Sequence, residues 1–346
     1  MYAIFRAGNF AGLSVWVASC AVISMGLVYL QMKGHPLLRG AVLLLAAITS
    51  SVVWSPRPQI MSLVLLSLVT WLISKYQGIQ NWRILIWLLP IFALWGNLHG
   101  GYVIGLIYLG TVLVCNVLEQ FLNASSGEQI LDQSIWILVG FVVLSGLAVL
   151  INPFGIAIWQ IPFNTVGIET LQNLINEWAS PDFHQAFQQP MLWMLLGLMA
   201  FFALSNRKPS GRELLPVLAF SWAAFTARRN FGPFAIVAAP VLASQLSFVV
   251  DGWFKGARDR FRILKTIAEE AEHSKRDFNP LARNIINFML IGSLLFAAGL
   301  KTYQVNKDSL MDRYEAKMFP MEAVSWMKDK DLAGNLFNEY NWGGYL

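Results

Sequence analysis

The chain has 346 residues, of which 56% are hydrophobic and 13% charged, with a mean hydropathy of +0.53. Ordinary soluble domains carry roughly 25% charged residues, so this composition excludes a water-soluble globular fold and makes lipid the solvent. The formal net charge of +5 sits in loops between apolar runs, where it reports orientation in a membrane and gives no reason to invoke nucleic acid.

Apolar runs predict membrane-crossing helices at residues 10–31, 38–54, 59–75, 84–97, 101–122, 134–151, 190–205, 213–226, 231–249 and 285–301. The expected fold class is therefore all-α, a polytopic transmembrane helix bundle of about ten spans filling residues 1–301. The first run is too long for a signal-peptide core and no small-residue cleavage pattern follows it, so it stays as a span. Cys20 and Cys115 lie inside apolar runs and read as small core hydrophobes, implying neither a disulfide framework nor a metal. No Walker loop or Gly-rich dinucleotide fingerprint occurs, so no cofactor is expected.

Charge sets the orientation. If all ten runs cross, one set of loops, around 33–39, 75–83, 207–212 and 251–284, holds fifteen lysines and arginines. Before the C-terminal tail the opposite set holds only Arg6, Arg57, Arg228 and Arg229. The positive-inside rule places the basic set in the cytoplasm and both termini outside, here of a bacterial cytoplasmic membrane. The cytoplasmic segment 251–284 mixes basic residues with Glu269, Glu270 and Glu272 and reads as an exposed helical connector. The outer segment 152–189 differs: Ile168, Leu171, Leu174, Ile175 and Trp178 share one helical face, as expected of an amphipathic helix lying on the outer leaflet. Residues 302–346 read as the start of a small soluble α/β domain outside, with a helix at 320–327 and a strand near the end.

Four polar clusters interrupt the apolar text, and all four fall on the outer face. They are Ser55-Pro56-Arg57-Pro58-Gln59, Asn97-Leu98-His99-Gly100-Gly101, Asn152-Pro153-Phe154-Gly155 leading to Asn176-Glu177-Trp178, and Ala227-Arg228-Arg229-Asn230. Polar groups at membrane depth persist where they pair or serve a cavity, so a shared face implies an outer pocket. The prolines around Arg57 deny it a continuous helix. Adjacent Arg228 and Arg229 repel unless an anion stands between them, and the planar guanidinium suits phosphate, although an interfacial anchor has the same composition. His99 has no partners at ligand spacing and reads as a hydrogen-bonding group beside Asn97 or as a cap on its span, not as a metal site. Glu177 and Asp182 are the outer carboxylates from which a general base would be drawn, and either also serves as a solvated surface acid. Span centres are nearly free of charge, which points to chemistry at the surface over ion-coupled transport.

At these motifs, with Trp95-Gly96, Pro240 and the final Trp342-Gly343-Gly344-Tyr345-Leu346, the sequence resembles a family of uncharacterised bacterial multi-pass membrane proteins related to GT-C-type glycosyltransferases. The resemblance covers nearly the whole chain. It implies transfer of a sugar from a polyprenyl-phosphate carrier among membrane lipids, at the outer face, to a protein, lipid or glycan acceptor. Arg57, Asn97, Trp178, Arg228, Arg229 and Asn230 would bind the donor, and Glu177, Asp182 and His99 would take catalytic parts. Two departures stand out. The acid that such enzymes place in the first outer loop has no counterpart here, and the family runs on past Leu346, so both ends are expected to be missing. The rival expectations are a lipid-carrier flippase and a non-catalytic membrane assembly or binding protein.

Overall fold

The computed structural model describes residues 1–123, 132–166, 175, 177–205, 207–260, 280–305, 317, 319–331, 334 and 336–338. Every one of the ten apolar runs is helical, and no strand occurs among the described residues. The helices are α1 (Tyr2–Gln31), α2 (Pro36–Ser51), α3 (Gln59–Ile79), α4 (Leu88–Leu98), α5 (Tyr102–Asn123) and α6 (Gln133–Ala148). After the short α7 (Gln160–Val166) come α8 (Gln189–Leu204), α9 (Gly211–Thr226), α10 (Phe231–Arg260), α11 (Pro280–Val305) and α12 (Met321–Asp329). Two compact units divide the chain, one holding Met1 with Trp16–Arg260 and the other Tyr2–Val15 with Phe261–Leu346.

Local chemistry explains the boundaries. His35 accepts the Leu37 N–H ahead of Pro36 at the start of α2, and Asp132 accepts the N–H groups of Ser134 and Ile135 at the start of α6. Ser210 and Glu213 form a reciprocal capping box on α9. The run expected at 84–97 is a 3₁₀ segment, Trp82–Trp87, joined to α4, with Pro90, which lacks an N–H, placed in the first turn of α4 where none is needed. Helix α1 starts at Tyr2, earlier than the apolar run, and breaks at Gly8 and Asn9. Helix α10 continues to Arg260, beyond the run's end, carrying Asp251, Lys255 and Asp259 at i,i+4 spacing. The rest of the expected connector, 261–279, lies outside the described residues, as does most of the expected amphipathic helix, 167–174 and 176. Its described end is not helical: Glu177 and Trp178 form a turn in which the Trp178 N–H donates to the Ile175 carbonyl at 2.9 Å. The C-terminal helix expected at 320–327 is α12, whereas Phe337 and Asn338 have no regular structure and 339–346 lie outside the described residues.

Five helical segments, Tyr2–Gln31, Gln59–Ile79, Tyr102–Leu122, Ala186–Leu204 and Arg228–Trp253, are long and apolar enough to cross a bilayer. Shorter apolar helices, Pro36–Ser51, Trp82–Leu98 and Gln133–Ala148, accompany them. Val22, Leu44, Ile107 and Trp222 point outward, a liability in water and the expected dressing of a surface in lipid. This is a helical membrane protein.

The first unit is organised around α10, whose Phe231, Phe234, Ala235, Ile236, Ala238, Ala239 and Ala243 are completely buried. Small residues let helix backbones approach where no water is present to drive association. Hydroxyls bind α1 to α3: Ser24 lies 2.6 Å from Ser67, and the Gln31 amide donates to Thr70 Oγ1. Gly232 is the tightest contact of α10 with α2 and α3, since a Cβ there would meet Leu63 at 2.7 Å and Val53 at 2.9 Å. Gly232→Val is expected to destabilise the fold by about 1–3 kcal/mol through overpacking. Gly110→Ala, inside α5 with nothing within 4 Å of the added Cβ, should unfold at or slightly above the wild-type temperature in the same thermal scan in detergent.

Candidate functional site

The four polar clusters come together at one end of the first unit. Ser55-Pro56-Arg57-Pro58 turns α2 into α3, with the Arg57 N–H donating to the Ser55 carbonyl at 2.7 Å. Arg57 then reaches the loop after α7 and pairs with Glu177, Nη1 to Oε1 at 2.5 Å. That loop is also tied to the α9–α10 corner by its backbone: the Arg229 N–H donates to the Glu177 carbonyl at 3.0 Å and the Arg228 N–H to the Ala179 carbonyl at 3.1 Å. The Arg229 guanidinium lies over the Trp178 ring, 4.2 Å from its centroid. Asn230 holds the corner from the helix side, its amide donating to the Ala223 carbonyl at 2.8 Å.

The other two clusters lock together. The Asn97 amide donates to Ala93 O at 2.8 Å and to Ile151 O at 2.6 Å, joining the end of α4 to the end of α6. Asn152 closes its own turn by accepting the Phe154 N–H, Gly155 adopts φ +52°, and Tyr102 donates to the Ile158 carbonyl. His99, the C-cap of α4, has its Nδ1 2.9 Å from Ser62 Oγ and 3.0 Å from the Gly101 amide nitrogen. Trp95 Nε1 donates to the same Ser62 Oγ at 2.9 Å. A Cβ at Gly101 would stand 2.4 Å from Ser62 Oγ and 2.8 Å from His99 Nδ1, so glycine is required there. Burial, reinforced by the Arg229 charge, lowers the His99 imidazole from 6.5 to about 4.

A groove of about 350 Å³ opens beside these residues, lined by Val52, Val53, Glu177, Gln185, Phe187, Arg228 and Arg229. One wall is apolar and the other carries the arginines. Glu177 is engaged by Arg57, whereas Arg228 forms no ion pair among the described residues and its Nε is buried without a partner. Asp182 is occupied within its own turn. Its Oδ2 accepts the Gln185 amide and its Oδ1 the His184 N–H, and those bonds hold its carboxyl below the usual range. Asp182 therefore closes the turn that presents Gln185.

The structure thus brings Arg57, Glu177, Trp178, Arg228 and Arg229 into one constellation, sets His99 within electrostatic reach of Arg229, and uses Asn97, Asn230 and Asp182 to hold the corners. Ser62, Gln185 and Phe187 were not singled out by the sequence. Ser62 sits in an apolar helix, where a serine ordinarily bonds its own helix backbone. No cluster of three or more His, Cys, Asp or Glu able to hold a metal occurs among the described residues. Comparison of the chain with protein-family models, curated proteins and solved structures finds no match.

Because the folded protein keeps His99 neutral while the unfolded chain protonates it near pH 6.5, the unfolded state takes up the proton first as pH falls. The associated stability is complete above about pH 6.5 and declines toward pH 4, with a slope of up to about 1.4 kcal/mol per unit. Denaturation between pH 8 and 4 should show this decline in the wild type and a flatter curve for His99→Gln. Arg57→Gln, by contrast, should change stability by less than about 1 kcal/mol, because its ion pair lies at a largely exposed surface.

Proposed function

We propose that this protein is a GT-C-like membrane glycosyltransferase that takes a sugar from a polyprenyl-phosphate carrier at the non-cytoplasmic face of a bacterial cytoplasmic membrane. The observation that carries the reading is Arg228: a cation in no ion pair among the described residues, its Nε unpartnered, lining a groove with Val52, Val53 and Phe187. A single phosphate joined to a hydrocarbon chain supplies what such a groove lacks, an anion for the arginines and an apolar tail for the wall. The positive-inside rule supports the orientation with all ten runs crossing, since Lys33 and Arg212 line a separate cleft with Gln31 and Ser244, away from the motif-bearing corners.

In this reading Arg228 and Arg229 hold the carrier phosphate, with Arg57 and Trp178 backing the loop. His99 and Asn97 face the sugar. A carboxylate, Glu177 or Asp182, takes the proton of the acceptor hydroxyl as its oxygen bonds to the sugar's anomeric carbon. The bond from that carbon to the phosphate oxygen breaks, its electron pair leaves with the carrier phosphate, and the arginines stabilise the charge that develops on it. A second reading has its own support. Both outer carboxylates already accept hydrogen bonds from neighbours, which favours a protein that binds or flips the same carrier without transfer.

The test uses the chain in nanodiscs with a radiolabelled polyprenyl-phosphate sugar. Binding is expected to fall at least tenfold in Arg228→Gln, the order of one lost charge-assisted contact. Release of unsugared carrier phosphate in the presence of acceptor separates transfer from binding alone. No binding to any such donor would end the proposal.

A further inference from the structure

The hydrogen bonds around His99 determine where its proton is. A backbone amide can only donate, so the Gly101 N–H, 3.0 Å from Nδ1, makes that nitrogen an acceptor. An indole N–H can likewise only donate, so Trp95 Nε1 occupies an acceptor position on Ser62 Oγ. The one hydroxyl proton of Ser62 is then free to point at Nδ1, 2.9 Å away. Every donor in the chain Trp95 to Ser62 to His99 has one direction available to it. The ring nitrogen left to carry the proton is Nε2, which makes no hydrogen bond among the described residues.

We propose that Ser62 is a positioning residue: together with the Gly101 amide it caps Nδ1 of His99 and fixes the ring as a neutral Nε2–H donor for the carrier-linked sugar of the reading above. A ring capped this way is a poor general base, because its basic nitrogen is already occupied by two donors. It offers a hydrogen bond to a phosphate or sugar oxygen instead, and the bond does not depend on pH across the physiological range. Among charged groups, Arg229 is the one whose field acts on the ring, and it opposes protonation. Ser62, Trp95 and Gly101, the other groups bonded or packed against the imidazole, carry no charge. The ligand assignment rests on the lipid-phosphate reading above; the tautomer and the role of Ser62 do not.

The experiment is nitrogen NMR of the full chain in nanodiscs with ¹⁵N-labelled histidine, assigned with His99→Gln among the four histidines. It is paired with polyprenyl-phosphate binding from pH 8 to pH 5. In the wild type Nδ1 should read as unprotonated and Nε2 as protonated over that range, and affinity should be flat. In Ser62→Ala the Gly101 N–H alone still holds Nδ1 as an acceptor, so the Nε2–H tautomer should persist, but the ring loses a donor that favours its neutral form and should titrate closer to pH 6.5. Affinity at pH 7.5 should fall about three- to tenfold and recover as acid makes the ring cationic. Gly101→Ala, whose Cβ would intrude between Ser62 and His99, should reproduce that profile with the hydroxyl still present. A wild-type ring protonated at Nδ1, or a folded Ser62→Ala protein with an unchanged titration and pH profile, overturns the proposal. The expected tautomer and titration in a protein that binds no polyprenyl phosphate would uphold Ser62 as the positioning residue and overturn the lipid-phosphate reading.

Discussion

The arginine-bearing end of this bundle depends on two backbone hydrogen bonds between segments that belong to no α-helix. The N–H groups of Arg228 and Arg229 lie at the start of a new helix, where the first turn has no intrahelical acceptors. They are met by the carbonyls of Ala179 and Glu177. A loop at the membrane surface must likewise find partners for its own backbone, and it finds them in that helix start. The same contact that satisfies both segments fixes the two arginine side chains, sets Trp178 beneath Arg229, and brings Glu177 within reach of Arg57. Remove this junction and the groove loses its polar wall.

The two ends of the first unit treat their cations differently. Away from the groove, Arg207 is matched by Glu213 at 2.8 Å and also contacts Ser244, while Arg212 is matched by Glu119 at 2.7 Å. Those pairs draw α9, α10 and α5 together. At the groove, Glu177 is ion-paired with Arg57, and neither Arg228 nor Arg229 has an ion pair among the described residues. Pairing at one end serves the fold, and the surplus at the other is what a phosphate would neutralise.

Much of this organisation was legible in the sequence. Ten apolar runs located ten helices, because hydrophobic length is the strongest signal a membrane chain carries. Pro56 and Pro58 marked the turn at Arg57, since a proline has no N–H with which to continue a helix. That the polar clusters share one face followed from counting spans, and the Arg57–Glu177 and Asn97–Ile151 contacts place them together. Less visible was the division of labour within the clusters. Asp182, read from the sequence as a candidate base, also closes its own turn with both carboxylate oxygens. Asn97, read from the sequence as a sugar ligand, also joins two helix ends through its amide. Ser62 was invisible because a single serine in a hydrophobic helix has no periodic or spacing signature. The amphipathic pattern over 168–178 predicted a helix through Trp178, and the capture of Glu177 and Ala179 by the arginine corner makes Glu177 and Trp178 a turn.

If these corners form an anion-binding groove open to the non-cytoplasmic side, a thiol placed in the groove reports both its exposure and its occupant. The native cysteines, Cys20 and Cys115, are both buried, so such a thiol can be read against a quiet background. The direct measurement is labelling of Gln185→Cys by a membrane-impermeant maleimide in sealed vesicles of both orientations, with and without polyprenyl phosphate. Labelling is expected from the non-cytoplasmic side, slowed when the carrier phosphate is present. Labelling from the cytoplasmic side alone, or labelling that saturating carrier leaves untouched, would contradict the anion-binding groove.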